Sequence, residues 1–350
     1  MERPDTTDFR PEQRTMEWRE LERAIADDKE GRLENWHATY IIWLTLSLVA
    51  IGIHLFYIVL ILAKKCLRTQ VKNLLVVSVC LTNLLMGGFI MPTVIHLILE
   101  TPEENCNLRM AVRAFNDFLQ IHLNIMTCLA LCLERFAFIL QRPPPFKFFQ
   151  IVLSVVLLVV PWVLGCIIII PLFFGGYVKG DPEMGCVIEV NLMYVLVAHV
   201  FSYPIPAIIL FVVATLVGHF GCKIRENALI GHNCKLQPIY LRNEAIRIVT
   251  LVSVFAILPE VPYFVIAMLK YTSECNDTYC LDFFYGLKIA VWLRAAKILA
   301  FPFIWLTYHD IRGAIMCRPE TSDDSTSGIE CDPDDAGSIS RQDTMLLRRA

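Results

Sequence analysis

Four charged residues stand where charge is hardest to keep: Asp117, Glu260, Arg294 and Lys297 each lie inside a long apolar run. An ionised side chain in hydrocarbon costs several kcal/mol unless paired, so such residues mark pathways, ligand sites or fixed internal pairs. Arg294 and Lys297 are three apart and share one stripe of a helix. Two cations there require anions, and Asp117 and Glu260 are the available ones, with Arg113 as a local partner four residues before Asp117. Two readings follow: an internal ion-pair network that fixes helix packing, or a site for an anionic or zwitterionic ligand. Little other chemistry competes. No nucleophile–base pair or phosphate loop appears, and His37, His54, His96, His122, His199, His219, His232 and His309 are scattered without metal-ligand spacing. The chain is therefore not expected to be an enzyme, and no metal, cofactor or nucleic-acid partner is expected.

The elements that must position these charges are read from seven apolar stretches, running roughly 39–62, 73–99, 110–140, 148–174, 192–220, 245–269 and 283–307. A helix needs about 20 apolar residues to cross a bilayer core, and each stretch meets that. Lipid leaves backbone groups no partner outside their own segment, so the stretches must be helices. At 56% hydrophobic and 19% charged, the 350-residue chain is too apolar for an ordinary soluble domain. Sidedness follows from charge. Lys64, Lys65, Arg68 and Lys72, then Arg135, Arg142 and Lys147, then Lys223, Arg225, Lys235, Arg242 and Arg247 fall at one set of ends. Glu100, Glu103, Glu104, Asp181, Glu183, Glu274, Asp277 and Asp282 fall at the other. Lys and Arg stay cytoplasmic, which gives an all-α membrane protein: a seven-transmembrane helix bundle with its N-terminus extracellular and its C-terminus cytoplasmic. Residues 1–38 read as an extracellular tail and 39–308 as the membrane domain. Residues 309–317 read as a short amphipathic surface segment and 318–350 as a disordered cytoplasmic tail. No internal repeat is visible, which weighs against a transporter of duplicated halves.

Thirteen cysteines sort by that topology. Cys80, Cys128, Cys132 and Cys166 lie within helices and read as small core residues. Cys106, Cys186, Cys275 and Cys280 fall on the oxidising side, where four cysteines allow three connectivities. Proximity prefers Cys106–Cys186, with Cys275–Cys280 as a second, local bond. Asn276 opens a glycosylation sequon on that side, and Cys317 stands where palmitoylation would anchor the inner segment.

At the inner end of the third stretch, Leu133-Glu134-Arg135-Phe136 resembles the acid–Arg–aromatic motif of rhodopsin-like (class A) G protein-coupled receptors. Trp162 with Pro171 nine residues later resembles that family's fourth-helix signature. Leu67-Arg68-Thr69 leading to Asn73-Leu74-Leu75 resembles its first inner loop. Pro206, Pro262 with Tyr263, and Pro302 sit where the family bends helices five, six and seven. The chain also departs from the pattern. His54 replaces the helix-one Asn, Asn83 the helix-two Asp and Glu260 the helix-six Trp, and the Asn-Pro-x-x-Tyr motif reads Phe301-Pro302-Phe303-Ile304-Trp305. These changes remove the carboxylate that commonly holds a sodium ion, and Cys106 lies four residues further from Arg135 than usual. The resemblance is to a divergent member.

The resemblance implies a plasma-membrane receptor that couples an extracellular ligand to a heterotrimeric G protein, with membrane lipid around it. Glu134, Arg135 and Phe136 would serve coupling. Asp117, five turns or about 27 Å above Arg135, would share its face. Ser202, Tyr263, Phe264 and Trp292 would line the ligand pocket with Asp117, Glu260, Arg294 and Lys297. The ligand would be a small zwitterion, an anion or a peptide, with a simple amine ranked below the ionic readings. The rivals are a receptor-like scaffold or ligand sink that no longer signals and, below it, an ion or solute transporter.

Overall fold

Apolar stretches in lipid must satisfy their own backbone as helix, and all seven do. The computed structural model describes residues 40–94, 106–140, 147–179, 188–230, 239–272 and 277–316. The spans are α1 Tyr40–Ala63, α2 Val71–Val94, α3 Asn107–Ile139, α4 Val152–Gly175, α5 Leu192–Cys222 and α6 Asn243–Leu269. Next come α7 Asp277–Trp305 and the short α8 His309–Ile315. The first six are apolar enough to cross a bilayer alone; of the seventh, the part Ile289–Trp305 passes taken together with α8, to which it bends by 87°. Between α4 and α5 the chain adds an antiparallel hairpin, β1 Tyr177–Lys179 against β2 Ile188–Val190, to the otherwise helical design. Helix continues through Ile230 beyond α5 and begins at Ile239 before α6, so part of the expected inner loop is helical.

The helices are not uniform. Wide π turns interrupt α2 at Met86–Ile90 and α3 at Phe115–Leu119. Gly87 stands in the first, where a Cβ would meet Ala50 Cβ at 3.1 Å, so its absence lets α1 and α2 approach. Ser47 Oγ donates to the Gly87 carbonyl at 2.5 Å across that contact.

Two proline positions need correction. The break in α5 falls at Tyr203, between Leu192–Ser202 and Pro204–Ile230, not at Pro206. A residue before proline is pushed out of the α region, and Tyr203 sits at φ −123°, ψ −69°. The break in α6 falls at Leu258 and Pro259, between Ile239–Ile257 and Glu260–Thr272, not at Pro262. Pro262 lies in the first turn of the outer segment, where a helix has no use for the missing N–H. The two breaks are stitched together: Tyr203 Oη donates to the Ile257 carbonyl at 3.1 Å, a group that the interruption of α6 leaves without its helical donor.

Pro302 remains inside α7. It deprives the Ile298 carbonyl, four residues back, of its N–H partner, and His54 Nε2 approaches that oxygen at 3.1 Å. A carbonyl can only accept, so Nε2 carries the proton. His54 therefore ties α1 to the weak point of α7. Tyr57 Oη adds a bond to the Pro302 carbonyl at 2.9 Å.

Phe301, Trp305 and Tyr308 are fully buried at the inner half of the core, together with residues of α1, α2, α3, α5 and α6. Val155, Val159, Val163 and Ile167 on α4 stay exposed, as a lipid-facing surface requires. Cys80, Cys128 and Cys132 are buried as expected, but Cys166 joins the exposed face of α4, because the helix turns that position away from α3. At the inner end, α8 is fastened to three helices or their loops. Lys72 Nζ lies 2.8 Å from Asp310 Oδ2, the Glu244 carboxylate accepts the His309 N–H at 3.1 Å, and Lys64 Nζ donates to the Ala314 carbonyl at 2.6 Å.

Candidate functional site

An ideal helix would point Asn116 and Asp117 about 100° apart. The π turn of α3 takes more residues per turn, which narrows the angle between neighbours, and both reach the same tyrosine on α6. Asn116 Nδ2 donates to Tyr263 Oη at 2.7 Å and to Asp117 Oδ1 at 2.8 Å, and Tyr263 Oη in turn donates to Asp117 Oδ1. Arg113 Nε lies 3.8 Å from Asp117 Oδ2, one turn away.

From α7, Arg294 binds the same group. Its Nη1 donates to Asn116 Oδ1 at 2.9 Å and its Nη2 to the Asn116 carbonyl at 3.0 Å. The guanidinium lies over the Tyr263 ring, 4.3 Å from the centroid, where the ring quadrupole attracts a cation. Arg294 Nε also stands 3.0 Å from Glu260 Oε2, a contact of charge without hydrogen-bond alignment. Lys297 Nζ donates to Glu260 Oε1. Glu260, Arg294 and Lys297 are 0%, 1% and 3% exposed, so the pairing is shielded from water.

The break in α6 explains why a carboxylate is tolerated at Glu260. This residue begins the outer segment, and the free N–H groups of a helix's first turn favour negative charge. Arg113, Asp117, Asn116, Tyr263, Arg294, Glu260 and Lys297 thus form one continuous network across α3, α6 and α7.

The structure brings the four expected charges into this network but pairs them differently. Glu260 faces both cations, whereas Asp117 turns to Arg113, Tyr263 and Asn116 and reaches Arg294 only through Asn116. Asn116 was not singled out in the sequence; its only signal is an amide beside Asp117 in an apolar run. Ser202 is fully buried at the end of the outer α5 segment, its Oγ without a hydrogen bond. Phe264 packs on Tyr203 at 4.9 Å and on His199 at 6.0 Å between ring centroids. Trp292 instead turns toward α1, its ring 4.8 Å from that of Trp43.

At the inner end of α3, Arg135 is buried and engages Glu134 with both Nε and Nη2, the latter at 2.5 Å from Oε1. Its guanidinium also lies 4.8 Å from the Phe138 ring centroid. Phe136 meets Phe220 of α5 at 6.0 Å. Trp162 Nε1 donates to Ser78 Oγ at 3.1 Å, joining α4 to α2. Cys186, Cys275, Asn276 and Cys317 lie outside the described residues, as do the side chains of Cys106 and Cys280. No group of metal-ligating side chains occurs among the described residues.

A family model described as 7 transmembrane receptor (rhodopsin family) matches residues 55–305, from α1 to the end of α7. No curated protein matches the chain.

Proposed function

We propose that this chain, which belongs to the rhodopsin family of seven-transmembrane receptors, transduces an extracellular ligand signal to a heterotrimeric G protein at the plasma membrane. The observation that carries this reading is the position of Glu260. It anchors the network of α3 and α7 and also begins the α6 segment directly beyond the break at Leu258–Pro259. A ligand that disturbs the network therefore acts on the hinge above the inner half of α6. That half runs down to Glu244 at α8, on the side where Arg135 lies paired to Glu134.

In this reading Asp117, Ser202, Glu260, Tyr263, Phe264, Arg294 and Lys297 form the ligand site, with Trp292 at its α1 side. Glu134, Arg135 and Phe136 serve coupling. A disulfide between Cys106 and Cys186 would hold the outer loop. A second reading, a receptor-like scaffold without signalling, draws on the departures at Asn83, Glu260 and Trp305.

Nucleotide exchange on purified G proteins separates the two. Membranes containing the receptor should accelerate exchange, and Arg135→Ala should reach the cell surface yet lose that acceleration. An Arg135→Ala variant that retains full activity per receptor counts against the coupling role. Exchange that stays at background with every G protein class and ligand library favours the scaffold.

A further inference from the structure

We propose that the π turn of α3 is a switch latched by Arg294. While the guanidinium holds the backbone carbonyl of Asn116 the turn stays wide; when it lets go, the turn closes to ordinary α-helix. This device belongs to the backbone of α3 and is independent of G-protein coupling. In an α-helix the Gln120 N–H would donate to the Asn116 carbonyl, four residues back. Here it donates to the Phe115 carbonyl, five residues back, as a π turn requires. The Asn116 carbonyl thereby loses its helical donor, and a backbone acceptor inside a bundle must find another. Arg294 of α7 supplies it. Its Nη2 donates to that carbonyl at 3.0 Å, while its Nη1 donates to the Asn116 side chain at 2.9 Å. One guanidinium fork thus closes on the backbone and the side chain of a single residue.

The π turn of α2 repeats the arrangement. There the Met91 N–H donates to the Met86 carbonyl, which passes over Gly87, and Ser47 of α1 donates to the Gly87 carbonyl. In both helices the bypassed carbonyl is the one that a neighbouring helix binds. The two latches differ in kind. Ser47 offers a neutral hydroxyl with one proton to give. Arg294 is charged, and it also faces Glu260 and lies over the Tyr263 ring. A change of charge around Arg294 therefore competes for the donors that hold the turn. Once released, the Asn116 carbonyl takes the Gln120 N–H, and the helix regains its regular bonding. The outer part of α3, Asn107–Ala114, then turns by about 100° and shifts by about 1.5 Å against the rest. That motion swings Asn116 off Tyr263 and Phe115 off its ring partners on α2 and α4.

The test places a single fluorine on Phe115, as para-fluorophenylalanine, in the purified, full-length receptor in nanodiscs. This ring meets Phe89 at 5.9 Å and Phe173 at 6.4 Å between centroids, so its fluorine resonance reports the phase of the turn. A second sample carries the label at Phe136, on the same helix below the turn and against Phe220. Arg294→Met removes the latch and leaves Glu260 paired with Lys297. It should move most of the Phe115 intensity to a new resonance and leave the Phe136 resonance in place. A Phe115 resonance that stays where it is overturns the proposal. So does a shift of both labels together, which would mean general loosening of the bundle. Should the variant fail to fold, saturation transfer on the wild-type protein decides. A switch populates both states, so exchange of the Phe115 resonance with a minor one is expected, and a single state overturns the proposal.

Discussion

At Glu260 one carboxylate faces two cations, and the consequence is testable by substitution. Removing one partner of a buried ion pair costs about 3–5 kcal/mol because the other charge is stranded. Glu260→Ala should therefore lower the melting temperature sharply, and adding Lys297→Met should restore part of the loss. In a double-mutant cycle, the Glu260–Lys297 coupling should exceed that of Asp117 with Lys297, which have no contact in common. Equal couplings, or strict additivity in both cycles, would falsify this assignment of partners. His54 supports a separate prediction. His54→Leu strands the Ile298 carbonyl beneath Pro302, so it should cost about 1–3 kcal/mol, read as a lower melting temperature. A neutral outcome would mean that water replaces the imidazole.

Two helices are broken, and their breaks face each other. The Tyr203 hydroxyl is bonded to the Ile257 carbonyl at the end of the inner α6 segment. Tyr203→Phe keeps the ring against Phe264 and removes only that bond, for a loss of about 1 kcal/mol. Faster hydrogen exchange should be confined to the amides around Leu258–Val261; protection identical to wild type would show that the break is held by other contacts. Lower on the same helix, the Glu244 carboxylate holds the first N–H of α8. Glu244→Ala should free the base of α6 and raise basal nucleotide exchange without reducing surface expression. An unchanged or lower basal rate would show that this bond does not restrain the helix.

Across the whole molecule, orientation in the membrane follows from where Lys and Arg collect. An epitope at the N-terminus should be stained on intact cells and one at the C-terminus only after permeabilisation; the reverse pattern would invert the topology and place Arg135 outside. Peptide mapping under non-reducing conditions should recover Cys106 joined to Cys186, and finding either as a free thiol would reject that bond.

The sequence by itself determined the seven helices and the four buried charges, and it sets the sidedness that epitope staining tests. Each of these follows from local cost: apolar length against bilayer thickness, charge against hydrocarbon, and proline against helix. It also located Arg135 beside Glu134, since neighbours in sequence need no fold to meet. What only the tertiary structure decided is who partners whom. The π turn at Phe115–Leu119 shifts the helical phase and recruits Asn116, which no 3.6-residue period predicts. Two prolines competed for each bend, Pro204 with Pro206 and Pro259 with Pro262, and packing chose Tyr203–Pro204 and Leu258–Pro259. His54, which reads as the loss of an asparagine, keeps a bond across 244 residues of chain. Pairing depends on distances between helices that are far apart in sequence, and those distances exist only once the bundle has packed.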